Sequence, residues 1–223
     1  MDSTVTDILE LPFTDTARSL HYRLSTDEDK AALRMIDSSF VTDRIFRVDF
    51  TTSNAITDTT GFGIRITTIN LDSPLHKYFP DDEDSDAEGN PTNGFTVVVE
   101  DIGRHSGDDI STTGPTDRKV IGFVSAKFSA WNSRLIITDI EIDPSYRCQG
   151  IGRRLIRFAE SLGISRYHVH HLWLEVSNVN YPAIQSYLGM GFQLAGLDVS
   201  LYIGTQAERE VALFMWKDLD TGR

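Results

Sequence analysis

The stretch Thr138–Phe158, TDIEIDPSYRCQGIGRRLIRF, constrains the fold of this chain more than any other. A strand runs into Asp143-Pro144, where the proline ring removes a ladder donor. A turn follows, and then a helix. Ile151, Leu155, Phe158, Ala159 and Leu162 recur at helical spacing and make one apolar stripe. Between strand and helix lie Arg147, Cys148, Gln149, Gly150, Ile151 and Gly152. Two glycines at a helix start leave the first backbone N–H groups uncovered, at the positive end of the helix dipole. Arg147, Arg153, Arg154 and Arg157 sit at or near that end, with no acid from Arg147 to Phe158. Arginines in a first turn oppose the dipole. A bound polyanion removes the conflict, so the pattern points to a phosphate site. It is not a Walker loop, which needs GK[ST] at its end. It also lacks the third glycine and the later acid of a dinucleotide-binding turn.

The rest of the chain supplies a sheet for that turn. Strand-like runs occur at His21–Leu24, Gly63–Ile69, Phe95–Glu100, Val120–Ser129, Leu135–Ile142, His171–Val176, Phe192–Ile203 and Glu210–Trp216. Helix-like runs occur at Thr26–Asp37, Gly150–Leu162 and Tyr181–Leu188. Strands outnumber helices in mixed order, which predicts an α/β or α+β arrangement around one twisted mixed sheet. With 40% hydrophobic residues in 223, the chain reads as one domain, 1–223, with loops expected at 72–93 and 102–117. Half of the net charge of −12 comes from the six acids of Asp81–Glu88. Such a chain favours a cationic partner and argues against non-specific binding to nucleic acid or an anionic membrane.

No apolar run approaches the roughly 20 residues that a membrane helix needs. The acidic start MDSTVTDILELPF lacks the basic and apolar regions of a signal peptide. The single cysteine, Cys148, excludes an internal disulfide and fits a reducing compartment, so a cytoplasmic location is expected. His168, His170 and His171 have no carboxylate or cysteine at ligand spacing; they read as a solvated connection, and no metal is expected.

A second informative unit is His171–Phe192, HLWLEVSNVNYPAIQSYLGMGF. A strand ends in polar residues, Asn180 is placed to cap a helix with Pro182 in its first turn, and Gly189 and Gly191 close it. The pattern of Leu172, Leu174, Glu175, Val176, Asn180, Ala183, Tyr187, Gly191 and Phe192 resembles the strand–helix unit of the GNAT superfamily of acetyl-CoA-dependent N-acetyltransferases. The Arg147–Gly150–Gly152 spacing is similar to that superfamily's pyrophosphate loop. The resemblance covers about 118–216 and implies an acyl-CoA N-acyltransferase fold. In that fold the fourth and fifth strands of the sheet splay around a pantetheine arm. The C-terminal Gly196, Asp198, Leu201-Tyr202, Glu210, Ala212, Phe214 and Trp216 resemble the end of streptothricin (nourseothricin) acetyltransferases. Trp131-Asn132, Phe40-Val41, Phe46 and the acidic run add to that likeness. Thr138, where a glutamate is expected, and the insert at 102–117 depart from it.

Acetylating an amine needs a base, because such amines titrate near pKa ~10.4. The thioester oxygen needs donors, and the leaving thiolate needs a proton. The resemblance implies acetyl-CoA as cofactor and direct transfer in a ternary complex, with Cys148 taking no covalent part. Glu175, an acid within the apolar run LWLEV, is the expected base, with Asp139 and Glu141 as competitors. Tyr187 is the expected general acid. Gln149 to Arg153, with Arg147 and Cys148, are expected to hold the pyrophosphate. The backbone at Ile140, Glu141 and Ile142, and Asn180, Ala183 and Tyr187, are expected along the pantetheine. Asp139, Glu175, Asp198 and Tyr202 are candidates for meeting the acceptor, a small cationic amine such as the β-lysine amine of streptothricin. A peptide, lysine or polyamine acetyltransferase and a non-catalytic acyl-CoA-binding module are the alternatives, acting as monomer or homodimer.

Overall fold

The computed structural model describes residues 9–50, 63–78, 93–103 and 118–219. In chain order these form β1 (Phe13–Asp15), β2 (Leu20–Leu24), α1 (Lys30–Arg34), β3 (Phe40–Phe50), β4 (Ile64–Lys77), β5 (Gly94–Asp101), β6 (Lys119–Ser129) and β7 (Arg134–Ile142). There follow α2 (Ile151–Tyr167), β8 (His171–Ser177), α3 (Tyr181–Gly189), β9 (Gln193–Asp198) and β10 (Ala212–Asp218). The result is a mixed α/β fold, as expected. Its described residues fall into two compact units, one drawn from Met1–Ser38, Phe79–Leu172 and Asp218–Arg223, the other from Ser39–Tyr78 and Trp173–Lys217.

The first unit is an antiparallel meander in the order β1-β2-β5-β6-β7. Its central strands are the apolar runs Val97-Val98-Val99 and Ile121–Val124, buried on both faces. Helix α2 buries Ile151, Leu155, Ile156, Phe158, Ala159 and Leu162, the stripe read from its sequence with Ile156 added. Phe158 packs 5.2 Å from the Tyr22 ring and 5.9 Å from Phe13. Truncating such a buried ring costs about 3–5 kcal/mol. These contacts set the axis of α2, and therefore where its N-terminus points.

The second unit joins β8, β10 and β9, in that order, with the two-stranded ribbon β3-β4 and helix α3. Buried Asn178 ties three of its segments together. Its side chain accepts from the Val211 N–H at 2.8 Å and donates to the Phe46 carbonyl at 2.6 Å, while its backbone pairs with the same two residues. The Phe46 ring lies 5.1 Å from Tyr181 at the head of α3.

Four sequence expectations shift. The expected loop at 72–93 begins as strand, because β4 runs on through Lys77; residues 79–92, with the acidic run, lie outside the described residues. Pro74 is tolerated there because the β3–β4 register breaks opposite Asp43, where no ladder N–H is required of it. Residues 104–117 of the second expected loop also lie outside the described residues. The run Phe192–Ile203 is strand only as far as Asp198. There the Asp198 carboxylate accepts from the Ser200 N–H and hydroxyl, both at 2.7 Å, and turns the chain out of the ladder. The helix expected at Thr26–Asp37 shrinks to one 3-10 turn, Asp27–Asp29, and α1. Strand β3 was not expected at all, since its Arg/Asp-rich sequence pairs with β4 alone and buries little.

Candidate active site

The candidate site residues form two groups, one in each unit. In the first unit the strand–turn–helix forms as read. Asp143 accepts from the Ser145 N–H at 3.0 Å and starts a short 3-10 turn, Pro144–Tyr146. Lys119, 2.8 Å away, and Ser145 hold the Asp143 carboxyl down at about 2. Cys148 and Gly150 both take left-handed backbone, at φ 61° and 80°. At Gly150 that conformation favours glycine outright. At Gly152 the constraint is proximity instead, because a Cβ there would lie 3.2 Å from Ile142 Cδ1 at the end of β7, a tight contact from which that side chain would have to give way.

The residues present fit a phosphate group. Space is open where a Cβ of Gly150 would stand, and no side chain caps α2. There is no acid in its first turn, and Arg153 is exposed. Such a helix start offers N–H donors and positive potential. The four arginines divide. The Arg147 Nε donates to the Ile142 carbonyl at 2.8 Å and its guanidinium also reaches the Asp37 carbonyl at 2.6 Å, so this side chain braces the turn. Arg154 folds back to Asp15 at 3.0 Å, over the Phe13 ring. Arg153 and Arg157 remain at the surface. Gln149 bonds the Ser145 carbonyl, and Cys148 is an exposed free thiol.

Just upstream on β7, Asp139 and Glu141 share one face, two residues apart. Burial pushes Glu141 up to about 8, with the charge of Asp139 adding to it and Arg147 opposing. Asp139 is pushed up to about 6 by crowding protein atoms, although solvent still reaches its carboxyl, and a backbone bond from Ile140 limits the rise. Strand β6 runs along one edge of β7, pairing Val124 with Ile140 and Gly122 with Ile142.

In the second unit β8 alternates strictly. Leu172, Leu174 and Val176 are buried, while Trp173, Glu175 and Ser177 face the other way and are half-buried. The Tyr202 hydroxyl, from the turn segment after β9, donates to Glu175 Oε1. Burial raises the Glu175 pKa above the usual carboxylate range, the Tyr202 bond opposes that rise, and the charge of Glu210 adds to it. Burial and Glu175 together raise Tyr202, which keeps its proton at neutral pH. Glu210 accepts from the Ser177 hydroxyl and pairs with Lys77. Asn180 caps α3 by accepting from the Ala183 N–H at 3.2 Å. The Tyr187 ring packs 5.7 Å from Phe192, and its carbonyl accepts from the Phe192 N–H at 3.0 Å. The Asp198 carboxyl is held low by Ser200.

Sequence reasoning placed Tyr202 and Glu175 in separate motifs; the structure bonds them. It missed Ser177, Lys77 and the part played by Glu210. Ser177 was recoverable from strand periodicity, two residues past Glu175. Lys77 lay in the stretch taken for a loop. Among the described residues no three His, Cys, Asp or Glu side chains gather as a metal site, and no helix is long and apolar enough to cross a membrane.

A streptothricin acetyltransferase of Streptomyces lavendulae is 40% identical over 198 residues, spanning 87% of this chain and 92% of that protein. The crystal structure of nourseothricin acetyltransferase superposes with a TM-score of 0.70 at 38% identity, covering 90% of this chain and 98% of the other. A Bacillus anthracis protein solved in complex with acetyl coenzyme A superposes with a TM-score of 0.66, covering 91% and 99%; at 24% identity that likeness speaks for the fold alone. The model of the acetyltransferase (GNAT) family matches residues 71–192. With its glycine turn at the head of α2 and its Glu175-bearing strand, matched over more than half its length, the chain belongs to the acetyltransferase (GNAT) family.

Proposed function

We propose that this chain is an acetyl-CoA-dependent N-acetyltransferase whose acceptor is a primary amine of a streptothricin-type antibiotic, the β-lysine amine, so that it confers resistance. The observation that carries this reading is the 40% identity, along 87% of the chain, to a streptothricin acetyltransferase. The two carboxylates of β7 and the acidic balance of the chain suit a cationic acceptor.

When bound, acetyl-CoA would supply the acetyl group, a C–N bond to the amine forming as the thioester C–S bond breaks and CoA leaves as its thiol. The start of α2, from Gln149 to Arg153, holds the pyrophosphate through backbone N–H groups and the Arg153 charge, while Arg147 keeps the turn in shape. On β7 the backbone groups of Ile140 to Ile142 are suited to pair with the pantetheine, and on α3 Asn180 and Ala183 are the candidates for that contact. Glu175 takes the proton that the amine must lose. Its raised pKa moves it toward the pH at which a carboxylate serves best as a base. Tyr202 keeps the Glu175 side chain in one orientation by donating to Oε1. Tyr187 gives a proton to the departing sulfur. Asp139 and Glu141 are carboxylates suited to attract the cationic acceptor.

The test is thiol release from acetyl-CoA by purified protein with nourseothricin, spermidine or an N-terminal peptide as acceptor. Rapid release with nourseothricin alone is expected. Release with spermidine or peptide at equal efficiency overturns the acceptor assignment. Acetyl-CoA binding without release on any amine overturns the enzyme reading.

A further inference from the structure

Glu210 is a half-buried carboxylate of the second unit that the reaction above does not use. It stands at the approach to β10, half-buried, and both carboxylate oxygens are engaged: Lys77 of β4 bonds Oε1 and the Ser177 hydroxyl bonds Oε2. The Ser177 side chain lies on the same face of β8 as Glu175, two residues on. That spacing is roughly 7 Å along a strand. Glu210 is therefore pinned beside Glu175 by a hydroxyl of the same strand, in partly desolvated surroundings. On this face Glu175 meets Tyr202 from the turn segment and the charge of Glu210, and Glu210 carries Lys77 with it.

We propose that Glu210 and Lys77 are positioning residues that set the ionisation of Glu175, the Glu210 charge holding the Glu175 proton and Lys77 limiting that hold. The inference rests on Glu175 being the base. A fixed negative charge at this distance makes a neighbouring carboxylate a stronger base. Lys77 weakens the effect by neutralising much of the Glu210 charge. Ser177 fixes the distance, so the coupling does not depend on a mobile side chain.

The sign of each perturbation follows. Glu210→Gln removes the anion and leaves the Lys77 cation, which favours ionised Glu175; its midpoint falls by about one pH unit. Lys77→Met leaves the Glu210 anion bare, and the Glu175 midpoint rises by about as much. The double variant returns near the wild-type value, and Lys77→Arg stays there. A purely structural role would not move the two single variants in opposite directions.

The measurement is a carboxyl carbon NMR titration of the free protein labelled at glutamate, with the Glu175 signal assigned by its loss in Glu175→Gln. The acid limb of kcat/KM with nourseothricin is recorded alongside. Opposite shifts in the NMR midpoint, cancelling in the double variant, are expected, with the kinetic limb following them. Unmoved NMR midpoints, or shifts in one direction, overturn this inference whatever the kinetics show. Opposite NMR shifts with an unmoved kinetic limb leave the coupling standing and overturn Glu175 as the base. If Lys77→Met does not fold, the downward shift in Glu210→Gln decides alone.

Discussion

The Tyr202 hydroxyl donates to Oε1 of Glu175, joining a turn after β9 to the middle of β8. The bond favours the ionised carboxylate and opposes the rise that burial imposes. Tyr202→Phe removes the donor, so the Glu175 pKa climbs further. The acid limb of kcat/KM should then move to higher pH, with a loss of about tenfold at neutral pH and a partial recovery as pH rises. Glu175→Gln cannot recover at any pH and should lose about 10²- to 10⁴-fold. A pH–rate profile of both variants separates the two behaviours. A Glu175→Gln protein retaining a wild-type acid limb would move the base assignment to Asp139 or Glu141.

The turn before α2 should respond differently to its two glycines. Gly150 sits at φ 80° with open space around it, so Gly150→Ala meets backbone strain and no clash. It should cost about 1–2 kcal/mol of stability, read by denaturant titration. Gly152→Val places methyl groups against Ile142, already 3.2 Å from where a Cβ would stand, and crowds the helix start. Its expected signature is a KM for acetyl-CoA raised about tenfold or more. Arg153→Ala should weaken acetyl-CoA binding at low salt and much less at high salt, since an exposed charge is screened.

The sequence made the first of these regions legible because each local signal there agrees with the next. The apolar stripe of α2, the Asp143-Pro144 stop and the glycine pair all point to one strand–turn–helix. The same holds for β8 and α3, where strand alternation, an Asn cap and terminal glycines coincide. Legibility failed where side chains compete with the backbone or where little is buried. The residues after Asp198 read as strand, but the Asp198 carboxylate takes the Ser200 N–H and ends the ladder. Pro74 looked like a loop because a register break cannot be read from composition. The site contacts followed the same divide. Glu175 stands out as an acid among apolar residues, whereas its partner Tyr202 lies 27 residues away on a turn that carries no periodic signal.

Asn180 offers a test that separates a cap from a cofactor contact. Its side chain accepts from the Ala183 N–H, and the proposed mechanism also gives it a contact with the pantetheine. Asn180→Ala removes both and should cost about 1 kcal/mol of stability. Asn180→Ser keeps a good cap oxygen, so stability should stay within a few tenths of a kcal/mol of wild type. If the amide also serves the cofactor, Asn180→Ser should still raise the KM for acetyl-CoA about fivefold to tenfold. A serine variant with wild-type stability and wild-type KM would leave Asn180 with the cap alone.

The first unit carries a buried ion cluster whose loss should be felt in stability alone. Arg23 on β2 bonds both oxygens of Asp29, at 2.7 and 2.8 Å, and the Glu100 carboxylate through Nε at 3.0 Å. Asp29 is 5% exposed and Glu100 4%. Burial would raise Asp29, but Arg23 and the Thr26 backbone hold it below its ordinary value. A carboxylate depressed in the folded state contributes stability above its unfolded pKa and loses it as pH falls through the folded value. Stability should therefore decline below about pH 4 in wild type. Arg23→Met takes the cation from buried Asp29, leaves Glu100 to Arg118 at 3.5 Å, and should cost about 3 kcal/mol at neutral pH. In that variant protonation relieves the repulsion, so acidification from neutral toward pH 5 should recover stability instead of lowering it. Urea titrations from about pH 2 to about pH 8 check both signs, with the KM for acetyl-CoA expected unchanged while the protein remains folded.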